Sequence, residues 1–416
     1  MKVYLEVYGC TANKSDASLI LGLLKKNDYE VVKHIDDADV LILLTCTVIG
    51  TTEQRMLSRL KIFKNTGKKI IVAGCMASVQ SELIKSITPD AHLLPPQYSH
   101  HVVDLLQNKK ISFTLKNKNL LSKYFEDITA PISIAEGCTL SCSYCITSIA
   151  RGKLTSYPIN EIVQDVCSAI KQGCKEIQLT AQDTGAYGLD TGHNLGELLT
   201  NVCKIEGEYR IRVGMMNPYT VLKNLDQIIR AFNDPKIYKF LHLPIQSGDN
   251  DILKKMNRKY TIDDFLEIIK KFRETYPDIT ISTDIIVGFP TETDEQFQNT
   301  IDLLKDVRPD IVNITRYSAR PYTKAKALKG RIKTEIVKER SRILTELCRN
   351  ISKENNLKHI RKTYIVLITE KGKYHTLVGR TENYKPVVIK ENVKIGKFLS
   401  IVVKDAAQTH LVGRLI

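Results

Sequence analysis

The sequence predicts a multidomain α/β protein: two parallel α/β units in succession, then a small β-barrel. Three observations carry that expectation. The chain has 416 residues, and at roughly 100–200 residues per domain it holds two to four of them. Short apolar strands alternate with helical patterns up to about residue 356. Beyond that point only short strands with turn residues between them remain.

Residues 1–106 form the first unit. "KVYLEVYG" is followed by a helix at 14–26, "DVLILLTC" by one at 51–65, and "KKIIVAGC" by one at 77–87. A three-layer domain with a small parallel sheet is expected. Residues 107–130 are polar and Lys-rich, and read as a linker, part hairpin.

Residues 131–356 form the second unit. "PISIAEG", "EIQLTA", "YRIRVGM", "FLHLPIQ", "TISTDIIVGF" and "DIVNITRY" are six strands with helices between them, such as 159–172, with Asn160 as its cap, and 262–276. Six βα units with right-handed crossovers predict an open, partial TIM-like barrel. A long charged helix, 333–356, closes the unit. Residues 357–416 supply "RKTYIVLITE", "YHTLVGRT", "YKPVVIK", "FLSIVVKDA" and "HLVGRLI", which predict a five-stranded barrel of OB-like character.

Composition bounds the function classes. The longest apolar run, "VLILLTCTVI" from Val40, is about half a membrane span. The N-terminus alternates like a strand and has no signal-peptide core. A cytoplasmic protein with no membrane partner is expected. The net charge is +15, and residues 357–416 carry twelve Lys and Arg against four Asp and Glu. A basic β-barrel attached to an enzyme-like core favours RNA over a merely solvated face, and no DNA partner is expected.

Of ten cysteines, Cys138, Cys142 and Cys145 fall within "CTLSCSYC". Structural zinc sites close with four ligands, and no fourth is in register. A [4Fe–4S] cluster held by three thiolates keeps one iron open. The loop leaves the first predicted barrel strand, on the face where such barrels carry their active sites. Cys10, Cys46 and Cys75 each directly follow a predicted strand, so all three emerge at one sheet edge, where open α/β sheets bind ligands. On pattern alone, buried structural cysteines are the favoured reading of this second set. Cys167, Cys174, Cys203 and Cys348 are most simply core or surface thiols.

"CTLSCSYC", with its aromatic Tyr144, resembles the signature of the radical S-adenosylmethionine (SAM) superfamily. "YGCTANKSD", "TCTV" and "AGCMA", with "LTAQDTGAYG", "HLPIQSGDNDILKKMNRKYT" and "DIIVGFPTETDEQF", resemble the methylthiotransferase family along nearly the whole chain. The C-terminal barrel is similar to that family's TRAM RNA-binding module. "LTAQDTGAYG" is most similar to the archaeal and eukaryotic branch that acts on threonylcarbamoyladenosine (t6A) in tRNA.

The resemblance implies two [4Fe–4S] clusters and SAM. It implies methylthiolation of C2 of t6A at tRNA position 37, with an electron donor such as ferredoxin or flavodoxin. The cluster on Cys138, Cys142 and Cys145 then generates the radical, and the one on Cys10, Cys46 and Cys75 carries sulfur. C2 is an unactivated carbon, which explains a radical cofactor. Position 37 flanks the anticodon in a single-stranded part of the stem-loop, so its base can be splayed out.

Further residues follow. By resemblance, the turn with Gln182 and Asp183 touches SAM; the bland alternative is a capping turn. Gln246, Ser247 and Asp284 either line the barrel mouth or make core hydrogen bonds. Arg151 either neutralises cluster or carboxylate charge or lies on the surface. Tyr144 packs near the adenine, and His242 is structural. Rival readings are another target (isopentenyladenosine in tRNA, or a ribosomal-protein aspartate) and a non-catalytic Fe–S RNA-binding regulator.

Overall fold

The structure, a computed structural model, describes residues 1–109, 111 and 117–416. Its N-terminal sheet is built from β1 (Lys2–Val7), β2 (Glu30–Val32), β3 (Val40–Thr45), β4 (Lys69–Gly74) and β5 (His92–Leu94). All neighbours are parallel, in the order β2-β1-β3-β4-β5. The central strand β3 is buried throughout, and apolar up to Thr45, because it is covered on both faces. Ile42 and Leu44 face α1 (Thr11–Lys26), and Leu41 and Leu43 face α2 (Gly50–Asn65). The three layers expected are present. The sequence reading missed β2 and β5, both edge strands of three residues. The helix expected at 77–87 is two, α3 (Cys75–Val79) and Ser81–Ile87.

The hairpin expected in residues 107–130 falls largely outside the described residues. The described remainder is no free connector. Gly22 of α1 lies against it so closely that a Cβ there would sit 2.3 Å from the Ser122 carbonyl oxygen. Lys118 and Lys123 are drawn into ion pairs with the elements on either side.

The barrel strands are β6 (Thr129–Ser133), then β9 (Glu176–Thr180), β10 (Arg210–Val213), β11 (Phe240–His242), β12 (Thr280–Val287) and β13 (Ile311–Arg316). Between β6 and β9 a short ribbon pairs β7 (Ala135–Glu136) with β8 (Thr155–Ser156). All six expected strands are present, but in two parallel ladders, β6-β9-β10 and β11-β12-β13. Isolated bonds such as Met216 N–H to the His242 carbonyl (2.9 Å) span the seam. Strand β11 stops at His242, two residues before Pro244, which has no N–H to give a ladder. Around these strands lies one apolar core that includes Ile177, Ile211, Leu241 and Ile281. The helix at 159–172 starts at Ile159, and Asn160 lies inside it rather than capping it. The Pro158 carbonyl already accepts from Glu161 and Ile162.

After the helix Thr334–Leu357 come β14 (Thr363–Lys371), β15 (Leu377–Arg380), β16 (Pro386–Ile389), β17 (Phe398–Ala406) and β18 (Leu411–Leu415), which close into a barrel. It docks on the ends where the large-barrel strands begin. The Tyr384 hydroxyl donates to Glu176 (3.1 Å), the Lys239 N–H to the Glu382 carbonyl (2.8 Å), and Lys385 Nζ to Asp310 (2.7 Å). Among the described residues no helix is long and apolar enough to cross a membrane.

Candidate active site

The parallel register of the N-terminal sheet ends its strands together: Val7 pairs with Leu44, and Thr45 with Gly74. Cys46 and Cys75 directly follow β3 and β4, and Cys10 precedes the first residue of α1. Gly74 turns at φ +87°, and a Cβ there would lie 2.5 Å from the Thr45 carbonyl oxygen. Only glycine fits so tight an exit from β4. Cys46 and Cys75 are buried and Cys10 is exposed. Burial pushes the Cys75 thiol up to about 12, and Cys10 and Cys46 add to it while Arg151 opposes it.

Arg151 is no surface residue. It is 2% exposed and bonds Asp16 (2.7 Å), Glu136 (2.9 Å) and Asn13 (2.9 Å), and its charge favours the thiolate form of Cys75. Lys118 Nζ meets the same two carboxylates at 2.8 Å each. Two cations and two carboxylates thus join α1, β7, the linker and the helix Thr147–Arg151 that follows the second thiol loop. Sequence reasoning missed Lys118, because nothing in the sequence separates it from the other lysines of this Lys-rich stretch.

The second thiol loop is clamped along its length. Cys138 N–H donates to the Gly152 carbonyl (3.1 Å) and Ser143 N–H to the Met256 carbonyl (2.9 Å). Asn257 Nδ2 donates to the Ser141 carbonyl (2.7 Å), and Arg258 Nη1 to Cys142 Sγ (3.2 Å). Burial pushes Cys138 up to about 12 and raises Cys142, which Arg258 opposes. Arg258 is a site residue that sequence reasoning passed over, although it lies within "KKMNRKYT".

A cavity of about 360 Å³ opens beside this loop. Tyr144, Cys145, Gln246 and Asp284 line it. The Tyr144 ring stands edge-on to Phe289, centroids 6.4 Å apart. His242, which also lines the cavity, contacts Asp284 Oδ1 through Nε2 (3.0 Å), and Asn313 Nδ2 donates to the same oxygen (2.7 Å). Ser247 is not on the wall: it is buried, and its Oγ accepts from Asp249 N–H. Gln182 and Asp183 are not on it either. Asp183 accepts from Gly185 N–H (3.1 Å), Asn217 N–H (2.9 Å) and the Thr220 hydroxyl (2.9 Å), which is the capping turn. It still lies close enough to Cys138 to raise that thiol. The end of β13 adds Arg316, Tyr317 and Arg320, and Val48 reaches in from the N-terminal unit.

Among the described residues, no three His, Cys, Asp or Glu converge as the ligands of a single metal ion must. A four-iron cluster asks for less, since each thiolate takes a separate iron. Thiols spaced around a short loop, or along one sheet edge, fit that donor set.

Three family models match the chain: the Radical SAM superfamily over residues 132–304, the Uncharacterized protein family UPF0004 over 2–94 and the TRAM domain over 358–416. The chain is 43% identical to the "Probable threonylcarbamoyladenosine tRNA methylthiotransferase" of Archaeoglobus fulgidus, over 100% of this chain and 99% of that one. It is 43% identical to the protein of the same name from Pyrococcus horikoshii, over 100% of each. It is 31% identical to the human "Threonylcarbamoyladenosine tRNA methylthiotransferase", over 99% of this chain and 74% of that one. In fold it is similar to a radical S-adenosylmethionine methyltransferase from Kitasatospora setae, with a TM-score of 0.53 at 13% identity over 78% of this chain and 76% of that one.

Proposed function

Because the chain belongs to the threonylcarbamoyladenosine tRNA methylthiotransferase family, we propose that it places a methylthio group on C2 of t6A at position 37 of tRNA. The radical SAM match brings SAM and an iron–sulfur cluster with it. Two clusters are the finer reading, one on Cys138, Cys142 and Cys145 and one on Cys10, Cys46 and Cys75. Residues 1–106, 131–356 and 357–416 are then its three domains, joined by the linker 107–130.

When bound, SAM and the clusters supply a carbon radical that takes a hydrogen from an sp² carbon, and a methylated sulfur to replace it. The chain's own residues prepare the ground. Arg258 offsets thiolate charge at Cys142, and Arg151 does so at Cys75, where burial otherwise holds the thiol protonated. Tyr144, packed on Phe289, gives the mouth an aromatic wall for a flipped base. Asp284, fixed by His242 and Asn313, offers an acceptor to polar groups of SAM or of the base. The electron comes from a low-potential carrier such as ferredoxin or flavodoxin, and all ten cysteines are unpaired, as suits a reducing cytoplasm.

The observation that carries this reading is that one buried ionic cluster ties the two thiol sets together. Arg151, whose guanidinium reaches Asn13 and Asp16 just beyond Cys10, ends the helix that begins two residues after Cys145. Sulfur held at the first set is thereby kept near a base bound at the second. The test is mass spectrometry of tRNA nucleosides with and without the gene. The 2-methylthio form of t6A should vanish in its absence, and unchanged levels would refute the reading. Anaerobic protein should hold about eight irons, and about four after either cysteine set is replaced by Ala.

A further inference from the structure

The charges around the mouth are held apart rather than paired with one another. Asp284, the one carboxylate among the described lining residues, is occupied by His242 and Asn313. Arg320 is buried and bonded to Glu53. Arg316, the last residue of β13, lines the same cavity and is exposed. No carboxylate pairs with it among the described residues. It also borders a neighbouring space of about 600 Å³, whose described lining includes Arg331 and no Asp or Glu. The mouth therefore has a hydrogen-bonded carboxylate at the Asp284 end and a guanidinium with no paired carboxylate at the Arg316 end.

A base entering this mouth leaves water. An ionised carboxylate on it would lose several kcal/mol of solvation unless a cation met it inside. The t6A base carries such a group, the α-carboxylate of its threonine, whereas an unmodified adenine is neutral. A guanidinium is suited to the task because its paired N–H donors match two carboxylate oxygens. The thiol loop from Tyr144 to Thr147 and the end of β13 both line the cavity. A base bound there has the thiol loop and the Arg316 guanidinium within one cavity, the first for C2 and the second for its N6 substituent.

We propose that Arg316 is a specificity-determining residue, which clasps the threonine carboxylate of t6A and excludes adenosines that lack it. This rests on the t6A reading above. RNA phosphate is the other anion an exposed arginine can meet, and the experiment separates the two.

Full-length protein, purified anaerobically with its clusters, is titrated onto three fluorescent anticodon stem-loops. Position 37 carries t6A, its methyl ester or plain adenosine. Wild type should bind t6A about 10- to 100-fold more tightly than the ester, the size of one charged hydrogen-bonded contact. Arg316→Gln should bind t6A as weakly as wild type binds the ester, and Arg316→Lys should recover part of the preference. A preference retained in Arg316→Gln overturns the assignment. An equal loss for all three RNAs also overturns it and marks a phosphate contact. A wild type that does not discriminate overturns it as well. If that wild type still methylthiolates t6A, by nucleoside mass spectrometry, only the Arg316 assignment fails. If it makes no such product, the function itself is wrong.

Discussion

Tyr322 holds a backbone conformation that glycine would adopt at lower cost. Arg320–Thr323 is a turn closed by Thr323 N–H on the Arg320 carbonyl, with Pro321 second and Tyr322 third at φ 63°. Proline then a positive φ is the type II pattern, which favours glycine at the third position. The Tyr322 side chain is 70% exposed and offers little packing in return. Left-handed backbone costs a side-chain-bearing residue about 1–2 kcal/mol, and glycine gives back about 0.4–1 through the unfolded chain. Tyr322→Gly should therefore raise stability by up to about 1 kcal/mol, read from urea midpoints; a lower midpoint would count against strain at this turn. Asp165 makes a second residue-scale case. Burial raises its carboxyl to about 6, against the pull of Lys123. Between about pH 4 and 6 the folded protein thus binds this proton more readily than the unfolded chain. Stability drawn from Asp165 falls as pH rises through that window and is level above it. Measured by urea at pH 4 and pH 6.5, Asp165→Asn should gain on wild type at the higher pH. At this scale Cys138, Cys142 and Cys145 were legible as a proposed cluster loop from type and spacing, whereas Cys10, Cys46 and Cys75 needed the family resemblance to be read the same way. Lys118, Arg258 and Arg316 were not legible. Sixty-one Lys and Arg look alike in a sequence, and only packing tells which is buried and which has no counter-charge.

Among the elements, helix α1 bears more than the sheet beneath it. Its Gly22 receives the linker backbone at Ser122 and Lys123, and its Asp16 receives both Lys118 and Arg151. Gly22→Ala would force a methyl into main chain rather than into a side chain that can swing away. Overpacking of this kind costs about 1–3 kcal/mol. Thermal melts should show that loss; an unchanged melting temperature would mean the linker seat is loose. Long elements were legible from period alone, as the helices Ile262–Thr275 and Thr334–Leu357 show. The strands β2 and β5 were not, because three residues carry no period and both are held in place by pairing with a neighbour already in the sheet.

Over the whole molecule, the C-terminal barrel is a docked part, and its charge is not all free. Lys385 is buried between Asp310 and Asn356, and Lys362 pairs with Asp278. Lys394, Lys397 and Lys404 are exposed. Replacing Lys394 and Lys397 with Gln should weaken tRNA binding, and should make the salt dependence shallower by roughly one unit for each phosphate that the variant no longer neutralises. Lys385→Gln should instead lower stability and leave the slope alone. Fluorescence anisotropy across a salt series decides, and an unaltered slope in the double variant would remove these lysines from the RNA surface. The existence of a basic barrel was legible in the composition. Where it sits was not, since Tyr384, Glu382 and Lys385 lie far along the chain from Glu176, Lys239 and Asp310 and meet them only once both barrels have folded.

That seat has a geometric consequence. The small barrel holds the ends where the parallel strands begin, and the mouth lies where they finish. The distance between them is the length of a strand such as β12, eight residues, or roughly 25 Å. A polynucleotide gripped at one end and worked on at the other must be that long and stiff enough to keep its shape. The molecule is then a caliper as well as a catalyst. Base pairs clipped from the stem should eventually erase the contribution of the far jaw, while the modified base itself remains untouched.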